Sequence, residues 1–262
     1  MIQILDEIRA KSPLVHNITN YVVMNNTANA LLSIGASPVM AHAIEEVEDI
    51  VRISSSLVIN MGTLSENWVK SMLLAVKEAK NTSTPFVFDP VGVGASSYRT
   101  ATALKIIETT IPSVIRANAS EIMALAQLSQ STKGVDSTIE TQNALEGGIL
   151  LSKKWNNTIV ISGAVDYVIT NDRITKVLNG TSLMSKVTGM GCTATAIIGA
   201  CMAVEKDFHK AATFAMVIMG IAGEIAKDLS KGPGTFQSSF LDTLYHISEE
   251  DIKKKISIDG EI

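Results

Sequence analysis

The feature that most constrains the fold is the alternation of short apolar runs with longer segments of helical periodicity. Short apolar runs bounded by polar residues or glycine are typical of strands buried on both faces. The helical segments between them supply the crossovers that parallel strands need. The pattern therefore predicts an α/β fold with a mostly parallel central sheet covered by helices. The clearest strand candidates are Leu57–Asn60, Phe86–Asp89, Ser113–Arg116 and Thr158–Ser162.

The segment Tyr167–Val177 departs from this alternation. Its two β-type runs flank Asn171-Asp172, a pair typical of tight turns, so it predicts a hairpin at an antiparallel edge of the sheet. Lys231–Thr235 predicts a rigid loop, and no linker, repeat or low-complexity run divides the chain, so we expect one domain over residues 1–262. Helices are predicted over Asn25–Ile34, Ser65–Lys80, Ser120–Leu128, Ser137–Lys153, Cys192–Ala203, His209–Leu229 and Glu249–Lys255.

Composition narrows the possible partners and the compartment. Lys and Arg total 22 against 26 Asp and Glu, a net charge of −4, which gives no electrostatic reason to bind nucleic acid or an acidic membrane. The two longest apolar stretches, Ala194–Val204 and Ala211–Ala226, are shorter than the roughly 20 residues that span a bilayer. Two cysteines form neither a disulfide framework nor a zinc site. We expect a soluble, cytoplasmic protein with no nucleic-acid or membrane partner, because the first residues also lack a signal-peptide pattern.

A glycine turn opens the predicted helix Cys192–Ala203. Glycines let the backbone approach a ligand closely, and a helix N-terminus directs several free amides at one point. This arrangement favours an anion, above all a phosphoryl group. Gly189, Met190, Gly191 and Cys192 are therefore predicted to form an anion hole, and we interpret the turn as the phosphoryl-transfer site of a small-molecule kinase.

Cys192 has two interpretations. A helix N-terminus lowers the pKa of a thiol and favours the thiolate, which predicts a direct role in the chemistry. The alternative is a small buried residue that fits behind the turn. The chain has neither a Gly-x-x-x-x-Gly-Lys-Ser/Thr motif nor a Gly-x-Gly-x-x-Gly after a first strand, which argues against a P-loop enzyme and a dinucleotide-binding fold.

Polar residues end the predicted strands, at Asn60, Asp89, Arg116 and Ser162. Ligands of open α/β sheets collect at the carboxyl ends of the strands, so we expect these side chains on one rim. Asp89 is a candidate magnesium ligand, because Mg²⁺ prefers one or two carboxylates together with substrate phosphates. The alternative for Asp89 is a carboxylate satisfied by the backbone amides of its own turn.

Further candidates follow on the same rim. Arg116 is predicted to pair with phosphate oxygens in a forked geometry. Glu121 is a candidate second magnesium ligand, although an acid in the first helical turn is also explained by capping alone. Ser162 is a candidate contact to a phosphate or ribose. The polar run His16–Tyr21 suits a small polar substrate, or else an ordinary helix cap, and Met40 is a candidate lining for a flat apolar ring.

Seven blocks of the sequence follow one another in the order of a known family. They are His16–Val23, Gly35–Ala41, Asn60–Leu64, Asp89–Gly92, Arg116–Glu121, Val187–Cys192 and Lys231–Phe236. With these blocks the chain resembles the hydroxyethylthiazole kinases of thiamine salvage, members of the ribokinase-like superfamily, over nearly its whole length.

The resemblance implies a three-layer α/β/α fold in a single domain, with a mostly parallel sheet and an antiparallel edge hairpin. It implies ATP- and Mg²⁺-dependent phosphorylation of the primary alcohol of 4-methyl-5-(2-hydroxyethyl)thiazole, which supplies thiamine phosphate synthesis. It also implies a homotrimer with sites near the subunit interfaces. By the same resemblance Met40 and Gly189 contact the thiazole, with Asn20 a further candidate, and Arg116 and Ser162 contact ATP.

The resemblance also implies roles in the reaction itself. Asp89 and Glu121 are the acids on the magnesium side. Cys192 stands where most ribokinase-like enzymes have the aspartate that takes the alcohol proton, so it is implied to be a modest base or an aligning group. Met190 occupies a position where the family usually has a smaller residue.

Three other functions are compatible with parts of this pattern. The first is a hydroxymethylpyrimidine or related vitamin kinase of the same superfamily, and the second is a nucleotide-dependent lyase or dehydratase on the same scaffold. The third is a non-catalytic protein that binds a nucleotide or a thiazole. A binding protein has no need for acids at both Asp89 and Glu121, which argues against the third.

Overall fold

The strands described by the computed structural model form one sheet. The structure describes residues 2–129 and 140–260. Numbered in chain order, the strands are β1 (Leu14–Ile18), β2 (Ser37–Val39), β3 (Ser56–Asn60), β4 (Phe86–Asp89), β5 (Val114–Asn118), β6 (Thr158–Ser162), β7 (Asp166–Thr170), β8 (Arg173–Val177) and β9 (Ile258–Gly260). They are arranged in the order β2-β1-β3-β4-β5-β6-β7-β8-β9.

Strand directions divide the sheet into two parts. The strands from β2 to β6 run parallel, whereas β7, β8 and β9 extend the sheet antiparallel. The hairpin β7–β8 turns at Asn171, whose φ of 55° lies in the left-handed region that asparagine tolerates well. The predicted parallel sheet with an antiparallel edge hairpin is confirmed.

Helices cover both faces of this sheet. They are α1 (Ile2–Lys11), α2 (Met24–Ile34), α3 (Val47–Ile53), α4 (Glu66–Thr82), α5 (Ser97–Thr109), α6 (Ala119–Ser129), α7 (Glu140–Trp155), α8 (Met190–Met202), α9 (Phe208–Leu229), α10 (Pro233–His246) and α11 (Glu249–Lys255), with a 3₁₀ helix at Ser182–Lys186. None of the helices in the described part of the chain is long and apolar enough to cross a membrane.

The two faces of the sheet bury separate cores. Val58 packs with the apolar residues of α1, α2 and α8–α11 on one face, whereas its neighbours Leu57 and Ile59 pack with those of α3–α7 on the other. Successive side chains of a strand point to opposite faces, so a strand covered on both sides has to be apolar throughout. The result is the expected three-layer α/β/α architecture.

Helix α8 lies directly on the sheet and runs opposite to the parallel strands. Its residue Gly199 lies so close to β3 that an added Cβ would stand 2.7 Å from Val58 Cγ2. The carbonyl of Gly199 accepts a hydrogen bond of 2.7 Å from Ser56, the first residue of β3. The N-terminus of α8 therefore lies at the opposite, carboxyl edge of the strands, where the functional residues were expected.

Some elements differ from the sequence expectations. Pro233 opens α10, so the predicted loop Lys231–Thr235 is wrong from Pro233 onward; proline at a first helical position needs no amide hydrogen and has a suitable φ. Residues 137–139 of the predicted helix Ser137–Lys153 lie outside the described residues. The sequence patterns did not indicate β1, β2, β9, α1, α3, α5 or α10.

Candidate functional site

The polar residues expected on one rim meet at the carboxyl edge of the sheet. Asn60 and Asp89 end neighbouring strands in register, and the Asn60 amide donates a hydrogen bond of 2.8 Å to Asp89 Oδ2. Arg116 Nη2 donates to Ser162 Oγ, and Arg116 Nη1 lies 3.6 Å from Asp89 Oδ2. Arg116 lies two residues before the end of β5, so this strand is longer than expected. The four side chains form one connected group.

Asp89 is the buried centre of this group. Its Oδ2 also accepts a 2.8 Å hydrogen bond from the Thr195 hydroxyl of α8. Its Oδ1 is buried and has no hydrogen-bond partner within the described ranges. Side chains rather than amides of its own turn hold the carboxylate, so the alternative of a turn-satisfied aspartate is wrong. Burial raises the pKa of Asp89, against the lowering effect of the Arg116 charge and the Thr195 hydroxyl.

The glycine turn leads directly into α8, with the predicted anion-hole residues at its start. Gly189 precedes α8 with φ 84°, and no described side chain caps the first amides of the helix. A Cβ on Gly189 would stand 2.7 Å from Val23 Cγ1, and one on Gly191 would stand 2.6 Å from Arg116 Nη1. Gly189 requires glycine because of its left-handed φ, whereas a side chain at Gly191 would displace the Arg116 guanidinium, which lies next to the uncapped amides. Met190, between the glycines, is buried.

Cys192 is half-buried on the other side of this turn. Asn20 Nδ2 lies 3.5 Å from Cys192 Sγ and 2.8 Å from Asn60 Oδ1, so Asn20 connects the thiol to the strand ends. Burial and the nearby Asp89 charge raise the pKa of the thiol. The expectation of a lowered pKa and a favoured thiolate is therefore wrong, because burial and the like charge of Asp89 disfavour the charged form of the thiol.

We call Asn20, Asn60, Asp89, Cys192 and Thr195 the Asp89 cluster. Four of the five side chains are nearly or fully buried, and each is hydrogen-bonded to another member. Buried polar networks of this kind hold their members in one arrangement, since an unpaired group would carry a large desolvation cost.

Glu121 lies beside the cluster with both carboxylate oxygens bound to backbone. Oε1 accepts from the Gly92 amide at 2.8 Å, and Oε2 accepts from the Asn118 amide at 2.9 Å. Asn118 in turn accepts from the Glu121 amide at 2.9 Å, which completes a reciprocal cap at the start of α6. These contacts are the ones expected from the alternative interpretation of Glu121 as a helix cap. They also fix the loop that follows Asp89.

A cavity of about 530 Å³ opens next to the N-terminus of α8, on the side of β6. We call it the Arg116 cavity. Its lining includes Arg116, Ser162, Asp166 and four methionines, Met184, Met190, Met216 and Met219. A cavity of this size with an apolar wall and a few polar groups is typical of sites for small ligands.

Asp166 has a partly buried carboxyl with a perturbed pKa in this cavity. It accepts a 2.9 Å hydrogen bond from the Gly163 amide. Burial raises its pKa to about 6, although the Gly163 amide and the Arg116 charge act in the opposite direction. Strongly perturbed groups in a cavity are candidates for functional residues.

Met40 follows β2 at the same edge of the sheet, where it is partly exposed. The segment after it is fixed to the end of β1, because the His42 ring stacks on Trp68 at 3.9 Å and Trp68 Nε1 donates to the Thr19 carbonyl at 3.0 Å. Met40 therefore lies on the β1 side of the Asp89 cluster, away from the Arg116 cavity. The backbone carbonyl of Met40 lies within hydrogen-bonding distance of His42 Nδ1, at 3.3 Å.

Sequence reasoning missed three residues of this region. Thr195 shows a signal, because it is one of two threonines in a helix whose other residues are small or apolar, and it lies one turn after Gly191. Asp166 shows none, because its role depends on the cavity wall. Arg99 donates to three backbone carbonyls of two loops beside the cluster. No periodic or spacing signal marks it.

The chain is similar to known proteins over nearly its whole length. Residues 5–250 match the family model described as "Hydroxyethylthiazole kinase family". A hydroxyethylthiazole kinase of Leptospira biflexa serovar Patoc is 54% identical over 256 residues, which cover 98% of this chain and 96% of the relative. The solved structure of a hydroxyethylthiazole kinase protein from Pyrococcus horikoshii superposes with a TM-score of 0.93 at 41% identity, covering 100% of this chain and 98% of that one.

A more distant structure shows the fold alone. The pyridoxal kinase from Staphylococcus aureus, solved with AMP-PCP and pyridoxal, superposes with a TM-score of 0.61 at 14% identity, over 81% of this chain and 88% of that one. The expected ribokinase-like architecture is therefore confirmed. From the family model and the relatives of high identity, we conclude that the chain belongs to the hydroxyethylthiazole kinase family.

Proposed function

We propose that this protein transfers the γ-phosphoryl group of ATP to the primary alcohol of 4-methyl-5-(2-hydroxyethyl)thiazole, as a step of thiamine salvage. The alcohol oxygen forms a bond to the γ-phosphorus as the bond from that phosphorus to the β–γ bridging oxygen breaks. ADP leaves with the electron pair, and the hydroxyl proton is released. One observation carries the proposal: an uncapped helix N-terminus at Gly189–Cys192 lies between the Asp89 cluster and the Arg116 cavity.

The Arg116 cavity is proposed to bind ATP. The methionine wall gives an apolar surface for the base, and Ser162 and Arg116 supply a hydroxyl and a guanidinium at its inner end. A guanidinium next to uncapped helix amides suits the oxygens of a transferring phosphoryl group. Phosphoryl transfer depends mainly on such positioning and charge neutralisation.

The thiazole is proposed to lie on the opposite side of the helix N-terminus, against Met40, Gly189 and Asn20. Asn20 carries an amide beside the Cys192 thiol, which places hydrogen-bonding groups where the alcohol would be aligned. Because the pKa of that thiol is raised, Cys192 is proposed to align the alcohol or to take its proton late, rather than to act as a thiolate formed beforehand.

The residues present fit Mg²⁺. Asp89 Oδ1 is buried without a partner among the described residues, and Glu121 lies across the loop from it with lone pairs left on both oxygens. The described residues include no group of three or more His, Cys, Asp or Glu that would bind a metal by itself. Mg²⁺ ordinarily uses one or two carboxylates plus phosphates, so Asp89 and Glu121 would hold it together with ATP. When bound, it would neutralise phosphate charge.

A single domain over residues 1–262, assembled as a homotrimer in the cytoplasm, completes the proposal. One sheet that joins strands from residue 14 to residue 260 supports the single domain. Large apolar side chains exposed near the carboxyl edge of β1 and β2, namely Tyr21, Val22 and Ile44, support an interface beside Met40. Light scattering on the purified protein should give three times the chain mass; a monomeric mass would exclude the trimer.

The experiment that tests the function is mass spectrometry of the products formed with ATP, Mg²⁺ and a panel of vitamin-precursor alcohols. We expect the phosphate ester of the hydroxyethylthiazole, with one ADP formed for each ester. Faster phosphorylation of a hydroxymethylpyrimidine would identify the other vitamin kinase. Retained ATP and thiazole binding without transfer to any alcohol would identify a binding protein.

A further inference from the structure

Arg99 joins the two loops that lead away from the Asp89 cluster. It lies in the first turn of α5, where Ser96 caps the helix. Its guanidinium donates three hydrogen bonds to backbone carbonyls: Nη1 to Met61 at 2.7 Å, Nη1 to Val91 at 2.6 Å and Nη2 to Gly62 at 2.6 Å. Met61 and Gly62 follow β3, and Val91 follows β4. One planar cation thus holds two loops at a fixed separation.

Both loops are directly connected to the cluster. The Gly62 amide donates a 3.0 Å hydrogen bond to Asn60 Oδ1, the oxygen that also accepts from Asn20. A Cβ on Gly62 would stand only 2.5 Å from Asn20 Nδ2, so a small shift of this loop moves Asn20. On the other loop, the Gly92 amide is bound to Glu121, and a Cβ on Gly92 would approach Arg99 Cδ to 3.1 Å.

We propose that Arg99 is a positioning residue for phosphoryl transfer, which sets the place of Asn60 and Asn20, and through them of Asp89 and Cys192. The inference rests on the proposed function and deepens it. Carbonyl dipoles that converge on one point repel one another unless a cation lies between them. Without the guanidinium the loops after β3 and β4 separate, and Asn20 loses its fixed distance to the thiol. Small misplacements of this kind cost up to about 100-fold in rate.

The test compares Arg99→Met and Arg99→Lys with Arg52→Met. Arg52 is a matched control, because its guanidinium also bridges two elements, at Asp49 and Glu78, but lies outside the site. We expect kcat of Arg99→Met to fall by about 10- to 100-fold, with KM for either substrate changed by less than about threefold. Arg99→Lys should recover part of kcat, since an ammonium reaches fewer of the three carbonyls. Arg52→Met should keep kcat within about twofold.

A second measurement tests the position of the Cys192 thiol independently of catalysis. Cys192 is half-buried, whereas Cys201, the other cysteine of the chain, is fully buried. Alkylation by iodoacetamide, followed by peptide mass spectrometry, should be several-fold faster at Cys192 in Arg99→Met than in wild type. Cys201 should stay unmodified in both, which shows that the fold is kept.

The outcomes separate the two proposals. If wild type phosphorylates no alcohol, the proposed function fails, and the alkylation rates still decide the role of Arg99. Unchanged kcat together with an unchanged Cys192 alkylation rate in Arg99→Met would overturn the positioning role. Alkylation of Cys201 in Arg99→Met that increases as much as that of Cys192 would also overturn the positioning role, because Arg99 would then stabilise the fold as a whole.

Discussion

The Asp89 cluster and the Arg116 cavity lie on either side of the same helix N-terminus but are built differently. In the cluster, side chains bind one another: Asp89 accepts from Asn60 and Thr195, and Asn20 links Asn60 to Cys192. In the cavity, four methionines form part of the wall, and methionine side chains are flexible and adapt to a ligand. Arg116 connects the two regions, because it lines the cavity beside Ser162 and lies 3.6 Å from Asp89 of the cluster.

This difference indicates a division of labour. A network whose members are paired with each other is rigid and keeps reacting groups in place before the substrate arrives. A wall of adaptable side chains provides contact area without fixing one geometry. Substitutions in the Asp89 cluster should therefore lower kcat, and substitutions in the Arg116 cavity should raise KM for ATP.

The largest effect is expected for Asp89→Asn. It removes the buried charge at the centre of the cluster while it keeps the shape of the side chain. We expect kcat to fall by about 10²- to 10³-fold, the order found when one preorganised electrostatic group is removed from an active site. KM for ATP should change by less than about fivefold. Initial rates at saturating substrates measure this, with Asp49→Asn, an exposed carboxylate on α3, as the control. An equal loss in both variants would contradict the assignment.

Arg116→Met should break the connection between the two regions. The guanidinium contacts Ser162 and lies near Asp89 and Gly191, so its loss should affect binding and rate together. We expect kcat/KM for ATP to fall by about 10- to 100-fold, as for a charge-assisted contact of about 1.5–3 kcal/mol. KM for the thiazole serves as the internal comparison and should change least. A larger change in KM for the thiazole than in KM for ATP would contradict the assignment of Arg116 to ATP binding.

Substitutions of Cys192 should have moderate effects, because the raised pKa of the thiol makes it a weak base. Cys192→Ala should lower kcat by about three- to tenfold, since positioning supplies most of the catalysis. Cys192→Asp should keep or raise kcat, because a carboxylate takes the alcohol proton more readily. Steady-state rates at saturating thiazole measure both. An alanine variant with the kcat of wild type would rule out a role for the thiol.

The last prediction concerns stability rather than activity, and it involves Asp166 in the Arg116 cavity. Burial raises the pKa of Asp166 to about 6 in the folded chain, whereas in the unfolded chain it is about 4. Between these two pH values the folded chain keeps a proton on Asp166 that the unfolded chain has released. Stability from this group is present at low pH and is lost as the pH rises through 6. Asp166→Asn does not titrate and still accepts from Gly163.

The unfolding free energy of this variant should therefore exceed that of wild type by an amount that grows from pH 4 to 7.5, to at most about 3 kcal/mol. Denaturant titrations at each pH, with Asp172→Asn in the exposed turn of the hairpin as the control, measure the difference. A difference that stays constant over this pH range would show that Asp166 has an ordinary pKa.

The sequence was sufficient for the strands β3 to β8, the rim and the glycine turn before α8, because these depend on local patterns. Strand ends are marked by a change from apolar to polar residues, which located Asn60 and Asp89. Two glycines before an apolar helix located the N-terminus of α8. Short strands such as β2, with three partly exposed residues, have too little periodicity to be recognised.

Properties that depend on distant parts of the chain could not be predicted. The pKa of Cys192 was inferred from its helix alone, whereas burial and the charge of Asp89, more than a hundred residues earlier, determine its direction. Arg99 is seen to matter only once β3 and β4 are adjacent in space. The perturbed carboxyl of Asp166 likewise depends on a cavity wall that includes Met216 and Met219.

The most direct test of the division of labour separates binding from transfer in Asp89→Asn and Ser162→Ala. Calorimetry gives the Kd for ATP with Mg²⁺, and rapid-quench single turnovers at saturating substrates give the rate constant for thiazole phosphate formation. We expect Asp89→Asn to keep its Kd within about fivefold and to lose about 10²- to 10³-fold in the transfer step, and Ser162→Ala to weaken Kd by about three- to tenfold with transfer nearly unchanged. The reverse pattern, with weakened binding in Asp89→Asn and slow transfer in Ser162→Ala, would contradict the account.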